Sequence, residues 1–498
     1  MTTYPSKAEF CQLASGHNIV PVYTKLATDM DTPVSLYYKF VGDGEGFMLE
    51  SAESNKTFGR YSFIGASSFA KVVAYSNYTD ITVDGQTSRV EGKPIPILKN
   101  FFAKFSFPDL PGLPPFTGGA VGYFAYEAIT TWERVLGQTV DPDLILGEFV
   151  FCDTLMIMDH LTHSTTLLKL VRLEAGAEPA AEYENALHQL EAMLKCIHRP
   201  VSLPIENADL YKQSGDQAPL WTAEIQQRFC DKIELAKEHI VAGDIFQVVL
   251  SQPFRQKLPK HPFSLYRRLR QVSPSPYMFY LNFGARKLVG ASPEMLVKQE
   301  DNHIFTCPIA GTRPRGKDAE EDQFYADDLL ADTKEVAEHA MLVDLARNDL
   351  GRISIPGTVN VDKMMQVELF SHVMHIVSEV SGQIDPKYSA LDVLKACFPA
   401  GTLSGAPKVR AMEIIYELEQ NVRGAYGGAV GYFDFRGNMD TAITIRTMAI
   451  DGDEVTIRTG AGIVADSVPE KEFQEVLNKA KALFQIMAEG AEHGTNHR

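Results

Sequence analysis

Four glutamates mark where this chain could do chemistry. Glu335 and Glu338 stand three apart in residues 334–352, and Glu472 and Glu475 repeat that spacing near the C-terminus. Three residues is nearly one helical turn, so each pair projects both carboxylates from one side of a helix. The plainer reading of each pair is a solvated helix edge. For the second, Glu475 with Lys479 at i,i+4 is a surface pair worth only about 0.3–0.5 kcal/mol. Together, four carboxylates without a Cys/His cluster favour a hard, oxygen-seeking cation, Mg2+ above zinc. Mg2+ keeps positions open for substrate oxygens, and the chain has groups to meet an anion. Arg446 lies in the expected strand 440–449 on a face with Ala442, Thr444 and Met448, where a guanidinium wants a bidentate anion. Gly460, Ala461 and Gly462 form a strand end whose amides are free to approach a ligand. Glu294 ends a Gly-Ala-Ser-Pro-Glu turn and becomes a general acid if burial raises its pKa; otherwise the turn is only a turn. His375 falls with Val373 and Val377 on one face of the expected strand 371–378, with His372 opposite. A histidine so placed is more often a hydrogen-bonded core residue than a base. Composition and spacing reach a Mg2+-dependent enzyme acting on a small polyanion, and no further.

The elements that must carry these groups read as follows. Residues 334–352 predict a helix rich in Ala, Leu, Met and Glu. Val336, Ala337, Ala340, Met341, Leu342, Val343 and Leu345 spread round most of its circumference, which predicts burial. Two anions there require cationic company. A last long helix opens at Ser467-Val-Pro-Glu, with Phe473, Val476, Leu477, Ala480 and Leu483 as its apolar stripe. Between them, the Gly/Pro loop 398–408 feeds a helix 409–419, with Ser404 as its expected N-cap. Its Gly-x3-Gly-x2-Lys spacing is not that of a phosphate loop. Gln247 interrupts the apolar strand 245–250, as a structural crosslink in preference to a ligand contact. Residues 316–333 read as an acidic, solvated connection.

Upstream, residues to about 175 alternate as short strands, for example 70–75 and 155–161. Helices are expected at 175–198 and 221–243, on either side of a polar linker at 199–221. The division is an N-terminal domain 1–198 and a catalytic domain 222–490. A repeat crosses that cut: Gly118-Gly-Ala-Val-Gly-Tyr-Phe124 returns as Gly427-Gly-Ala-Val-Gly-Tyr-Phe433. Glycine-rich strands approach other backbones closely. The repeat predicts related halves sharing one β-sandwich.

The 498 residues carry a net charge of −17 and no long basic run, which argues against nucleic acid as a partner. The six cysteines are not paired at CxxC spacing and fit a reducing compartment. With no apolar leader and no run of about 18 apolar residues, the expected location is cytoplasmic.

Pro308-Ile-Ala-Gly-Thr-Arg-Pro-Arg-Gly316, Asp344-Leu-Ala-Arg-Asn-Asp349, Phe398-Pro-Ala-Gly-Thr-Leu-Ser-Gly-Ala-Pro-Lys408 and Thr459-Gly-Ala-Gly-Ile463 resemble the motifs of the chorismate-binding enzymes. The resemblance spans nearly the whole chain, is most specific from about 222 to 485, and is strongest to the anthranilate-forming members. It implies an α+β fold of two packed, largely antiparallel β-sheets flanked by helices. It also implies site roles. Glu338 and Glu475 match direct Mg2+ ligands, with Glu335 and Glu472 as water-mediated neighbours. Tyr426, Arg446 and Gly462 match the grip on the enolpyruvyl carboxylate of chorismate. Thr306, Gln247, Gly460, Ala461 and Lys479 complete the implied substrate site. Glu294 matches the acid that protonates the departing hydroxyl, and His375 with Thr402 the group serving the second, pyruvate-releasing step. Leu49, Glu50 and Ser51 with Pro276, Tyr277 and Met278 resemble a pocket for L-tryptophan as inhibitor. A separate glutamine amidotransferase subunit is implied as the source of ammonia. Isochorismate-forming relatives carry lysine where Gln247 stands, and aminodeoxychorismate-forming ones carry it where Ala310 stands. A non-catalytic amino-acid-binding subunit would have lost the carboxylates, Glu294 or His375, and all are present.

Overall fold

Strands run through both halves of the chain, and among the described residues every strand pairing is antiparallel. A computed structural model of the chain describes residues 2–51, 59–133, 140–200, 221–370 and 373–491. The hydrogen-bonded strands form two layers joined through two long members, Tyr61–Ala74 and Gly147–Asp159. One end of Tyr61–Ala74 pairs with Gly46–Glu50 and the other with Tyr78–Val83. A register shift between Ser68 and Ala70 marks the bend, the usual way for one strand to serve two sheets.

The first layer runs from Gln247–Lys257 through Glu454–Ile463, Thr447–Asp451, Arg286–Ser292, Tyr277–Asn282 and Gly46–Glu50 to the long strands, then Ser164–Arg172 and Ile19–Ala27. The second runs from the long strands through Gly119–Phe124, Ala429–Asp434, Met439–Ile443, Met295–Glu300 and His303–Thr306 to Val373–Gln383. Phe47, Phe279 and Leu281 of the first layer share one buried core with Val121, Val430 and Tyr432 of the second. Helices cover the outer faces: Pro469–Ala491 and Pro262–Val272 over the first, and Thr333–Gly351 and Ala390–Cys397 over the second.

The repeated heptads lie side by side. Gly122 opposes Gly431, Phe124 opposes Ala429, and Ala120 opposes Phe433. The two copies are therefore in equivalent positions about a local twofold at the seam between the halves. A Cβ at Gly122 would sit 2.0 Å from the Glu148 carbonyl oxygen, and one at Gly431 2.0 Å from that of Asp440. Both halves meet the same steric demand with the same residue. The cut at 199–221 divides the chain in sequence only, because in each layer strands from either side of it pair directly, Tyr277–Asn282 with Gly46–Glu50 and Ala429–Asp434 with Gly119–Phe124. Residues 201–220 lie outside the described residues.

Several local expectations need correction. Residues 319–331 are a helix rather than a solvated connection, capped by Asp318, whose carboxylate accepts from the amides of Glu320 and Glu321. The helix Thr333–Gly351 is buried along one side only, through His339, Leu342, Val343, Ala346, Asp349 and Leu350, and Ala337 is exposed. The helix Lys408–Glu419 starts at Pro407 without a side-chain cap, and the Ser404 hydroxyl donates to the Ala400 carbonyl instead. The strand expected at 440–449 is broken: Met439–Ile443 belongs to the second layer and Thr447–Asp451 to the first. Arg446 lies in the gap with φ of 51°, a left-handed conformation that costs a non-glycine residue energy.

Candidate active site

Two neighbouring crossings between the layers place the acid and the guanidinium. Glu294 stands between Arg286–Ser292 of the first layer and Met295–Glu300 of the second. Arg446 stands in the parallel gap after Met439–Ile443. Main-chain bonds lock the crossings together: Ile443 N–H donates to the Glu294 carbonyl at 3.0 Å and Ala291 N–H to the Arg446 carbonyl at 3.2 Å. The Ser292 hydroxyl adds a bond to the Ile443 carbonyl at 2.7 Å. Neither side chain could be aimed this way from inside a continuous strand, where successive residues alternate faces.

The Glu294 carboxyl is enclosed, and the Thr402 hydroxyl donates to its Oε1 at 2.9 Å. Burial pushes its pKa up to about 7, against the pull of that hydrogen bond and of the Lys479 charge. It is thus substantially protonated near neutrality. Thr402 sits on the loop that follows the helix Ala390–Cys397, and Thr306, whose hydroxyl donates to the Leu296 carbonyl at 2.9 Å, lines the same wall.

His375 is on the strand Val373–Gln383, and its Nδ1 lies 2.8 Å from the Gly311 carbonyl and 3.1 Å from the Thr312 hydroxyl. A carbonyl only accepts, so Nδ1 carries the proton and Nε2 keeps its lone pair. Burial lowers its pKa, and the Arg446 charge lowers it further. The ring is therefore neutral at pH 7, and Arg446 is near enough to feel. His372 lies outside the described residues.

Arg446 is the cation in want of an anion. Burial lowers its pKa, and the one listener that favours its charge is Tyr426. No carboxylate among the described residues pairs with it. Tyr426, itself pushed up to about 12 by burial, reaches the strand Glu454–Ile463, where a Cβ on Gly460 would sit 2.7 Å from its Oη. Gly462 is under the same constraint, since a Cβ there would meet Gln247 Nε2 at 2.7 Å. The glycines are spaced to let these polar groups close on the strand, with buried Ala461 between them.

Both acidic pairs border this strand. Gln247 Nε2 donates to Glu338 Oε1 at 3.1 Å. Lys479 pairs with Glu475 at 2.6 Å and donates to the Gly460 carbonyl at 3.0 Å. Glu335 lies 3.8 Å from Arg313, which also holds Asp328 and Asp332. The cations that four acids demand are thus supplied piecemeal. The supply is incomplete: burial and then Glu338 raise the Glu335 pKa, and burial raises that of Glu472, with Glu475 adding to it. Lys334 of one helix acts on Glu472 of the other, so the two acidic helix ends are electrostatic neighbours. Glu475 is exposed, and among the described residues no three acidic, histidine or cysteine side chains are grouped closely enough to hold an ion. In donor chemistry the set suits a hard divalent cation, being all carboxylate with residual negative charge.

A second cavity of about 540 Å3 opens between the two layers. Leu49, Glu50, Ser51, Pro276, Tyr277 and Met278 all line it, three from each side of the 199–221 cut. Glu50 is fixed by Tyr266 Oη at 2.5 Å and by Arg270 Nε at 2.6 Å. The sequence reading missed Asp440 on the far wall, whose carboxyl burial pushes up to about 6. Nothing local marks Asp440, because only the facing of the layers turns it into the cavity. This second cavity and the Glu294 crossing share the strand Met439–Ile443: Asp440 and Ala442 face the cavity, and Ile443 bonds Glu294.

Comparison with known proteins shows the family to which this fold belongs. Residues 47–485 match the family model described as chorismate binding enzyme. The chain is 44% identical to anthranilate synthase component 1 of Acetivibrio thermocellus, over 98% of this chain and 99% of the relative. It is also 44% identical to the protein of that name from Aquifex aeolicus, over 97% of each. Its structure is similar to that of anthranilate synthase component I from Streptococcus pneumoniae, with a TM-score of 0.73 and 37% identity, covering 88% of this chain and 93% of the other.

Proposed function

The chain belongs to the chorismate-binding enzymes, and from that premise we propose that it converts chorismate and ammonia to anthranilate and pyruvate, opening the route to tryptophan. The observation that carries this reading is the pairing of a protonated buried carboxyl, Glu294, with a neutral imidazole, His375, around an unpaired guanidinium. Two groups near pH 7 in opposite protonation states can serve the two proton transfers of such a reaction.

Arg446, helped by Tyr426 and the Gly460–Gly462 edge, takes one carboxylate of the substrate and sets the ring beside Glu294. Glu294 gives its proton to the departing ring hydroxyl, which leaves as water, while ammonia bonds to the ring carbon at the far end of the allylic system. Thr402 keeps the carboxyl oriented for this step. His375 Nε2 then takes the proton from the aminated carbon, the bond between the ring carbon and the enolpyruvyl oxygen breaks, and the departing enolate takes up a proton at its methylene carbon, equal to the one His375 gives up, to become pyruvate and leave the aromatic ring. Glu338 and Glu475, with Glu335 and Glu472 behind them, are the residues that would hold Mg2+. The ion would neutralise the second carboxylate of the substrate and draw electron density from the ring. Gln247 and Ala310 support amination toward anthranilate: neither supplies the lysine that the water-adding and para-aminating relatives carry at these places.

The second cavity is proposed as a feedback site for L-tryptophan, which its size and its mix of apolar walls with acidic and hydroxyl groups support. A glutamine-hydrolysing partner subunit is proposed as the ammonia donor in the cell. The test is direct. Purified chain, chorismate, Mg2+ and ammonium at alkaline pH should yield anthranilate fluorescence, and a chelator should remove it. An aminodeoxychorismate or aminodeoxyisochorismate product would redirect the reading, and a chorismate left unchanged would end it.

A further inference from the structure

Beside Glu294 lies a small cavity of about 50 Å3, room for one or two waters, whose lining does not include Arg446. Its walls include Glu294, Thr402, Thr306, Cys397 and, from the end of the helix Thr333–Gly351, Asp349. Asp349 is bonded by Lys408 Nζ at 2.8 Å. The pair occupies a boundary: the two side chains are 10% and 14% exposed, so they are enclosed yet touch solvent. The reaction proposed above uses Glu294 and Thr402 of these walls but neither Asp349 nor Lys408.

Each turnover leaves Glu294 as a carboxylate, and the acid must regain a proton before the next hydroxyl departs. We infer that Asp349 and Lys408 form the solvent end of a proton-return path to Glu294, through water held in this cavity. A proton from solvent protonates Asp349, passes from its carboxyl to the cavity water, and a proton of that water passes to Glu294. Asp349 is again a carboxylate, and the water is unchanged. Meanwhile the ammonium formed at the aminated carbon sheds one proton to solvent, so the cycle balances. Lys408 holds the Asp349 carboxylate in place between transfers. The groups around the path are few. Lys479 acts on Glu294 from the C-terminal helix, and Arg352 acts on Asp349 from its own helix. Burial raises the Asp349 pKa against the Lys408 and Arg352 charges, which brings proton uptake by it closer to neutral pH. Cys307 and Cys397 also line the cavity, and burial drives both thiols up, so neither competes as an acid near neutrality.

This inference rests on the proposed reaction, and its test separates the two. The wild-type chain is assayed for anthranilate with chorismate, Mg2+ and ammonium, and failure there counts against the reaction. Given turnover, Asp349→Asn should lower kcat about 10-fold or more, less than the roughly 100-fold that direct proton transfer to a reacting group contributes at its low end, and leave KM for chorismate within about 2-fold. Its solvent deuterium isotope effect should rise, and added formate should restore rate in proportion to its concentration. Ala346→Val keeps the ion pair and narrows the cavity, and should show the same isotope signature in milder form. If Asp349→Asn raises KM, ignores formate and keeps the wild-type isotope effect, the pair is a clamp between helix and loop and the path is wrong. If Asp349→Asn does not fold, Ala346→Val decides: an unchanged kcat and isotope effect overturn the inference.

Discussion

A single carboxyl shows how function and stability oppose each other at the residue scale. Glu294 has its pKa raised from 4.5 to about 7 by burial. An acid whose folded-state pKa exceeds its unfolded one binds more protons when folded, so its contribution falls as pH rises from about 4.5 to about 7 and is flat above. The cost at pH 8 is about 3 kcal/mol. Glu294→Gln should therefore unfold at higher denaturant or temperature than wild type at pH 8, and no differently near pH 4. The same change removes the proton donor, so kcat should fall about 100-fold or more. At a fixed concentration of unprotonated ammonia, activity carried by the protonated form should decline as pH rises through the Glu294 pKa. A variant that is inactive yet no more stable at pH 8 would mean that the carboxyl is not buried as an acid. Spacing revealed Glu294 only as a turn residue; its enclosure comes from Thr402, 108 positions away.

At the scale of elements, the strand Glu454–Ile463 organises the site by what it lacks. Gly462 leaves space for Gln247, and Gln247 in turn holds Glu338. Gly462→Ala should push the Gln247 amide aside and free Glu338, raising the Mg2+ concentration needed for half-maximal activity or altering KM for chorismate. Unchanged Mg2+ and chorismate titrations would remove Gln247 from the site. On the strand Ile309–Pro314, Ala310 opposes Ile376, beside His375. Ala310→Lys should cut anthranilate output by giving the site the amine that the aminodeoxychorismate-forming relatives carry at this place, which product analysis can measure. The motif around Ala310 was readable, as were the acidic pairs and the stripe of the last helix, because facing within an element follows from local periodicity. The helix at 319–331 was not read. Its acids hid an N-cap signal, Asp318 followed by Glu320 and Glu321, that the capping rule alone could have found. The break at Arg446 had no such signal.

Across the whole molecule, the seam between the repeated heptads matters most. It joins the halves in one sheet and leaves the second cavity between the layers. Gly431 and Tyr432 of the repeat line that cavity along with Ser51. Ser51→Phe would fill space there without touching Glu294 or Arg446. It should weaken inhibition by L-tryptophan at least about 10-fold in an anthranilate assay and leave the uninhibited rate within about 2-fold, since lost packing or polar contact is worth about 1–3 kcal/mol. An inhibition curve that does not move would place any tryptophan site elsewhere.

Local sequence named the groups that could react and, for the acidic pairs and the stripe of the last helix, the face they share; it misplaced Arg446 on an unbroken strand. Carboxylates three apart, an apolar stripe and a glycine-rich strand are consequences of local sterics and side-chain period. Tertiary structure alone decided which of these groups meet. Thr402 reaches Glu294, Gln247 reaches Glu338, and the Arg446 charge acts on His375 because strands far apart in the chain pair in one register and cross between two layers. That pairing is a long-range choice made by burying both faces at once, and no window of neighbouring residues contains it.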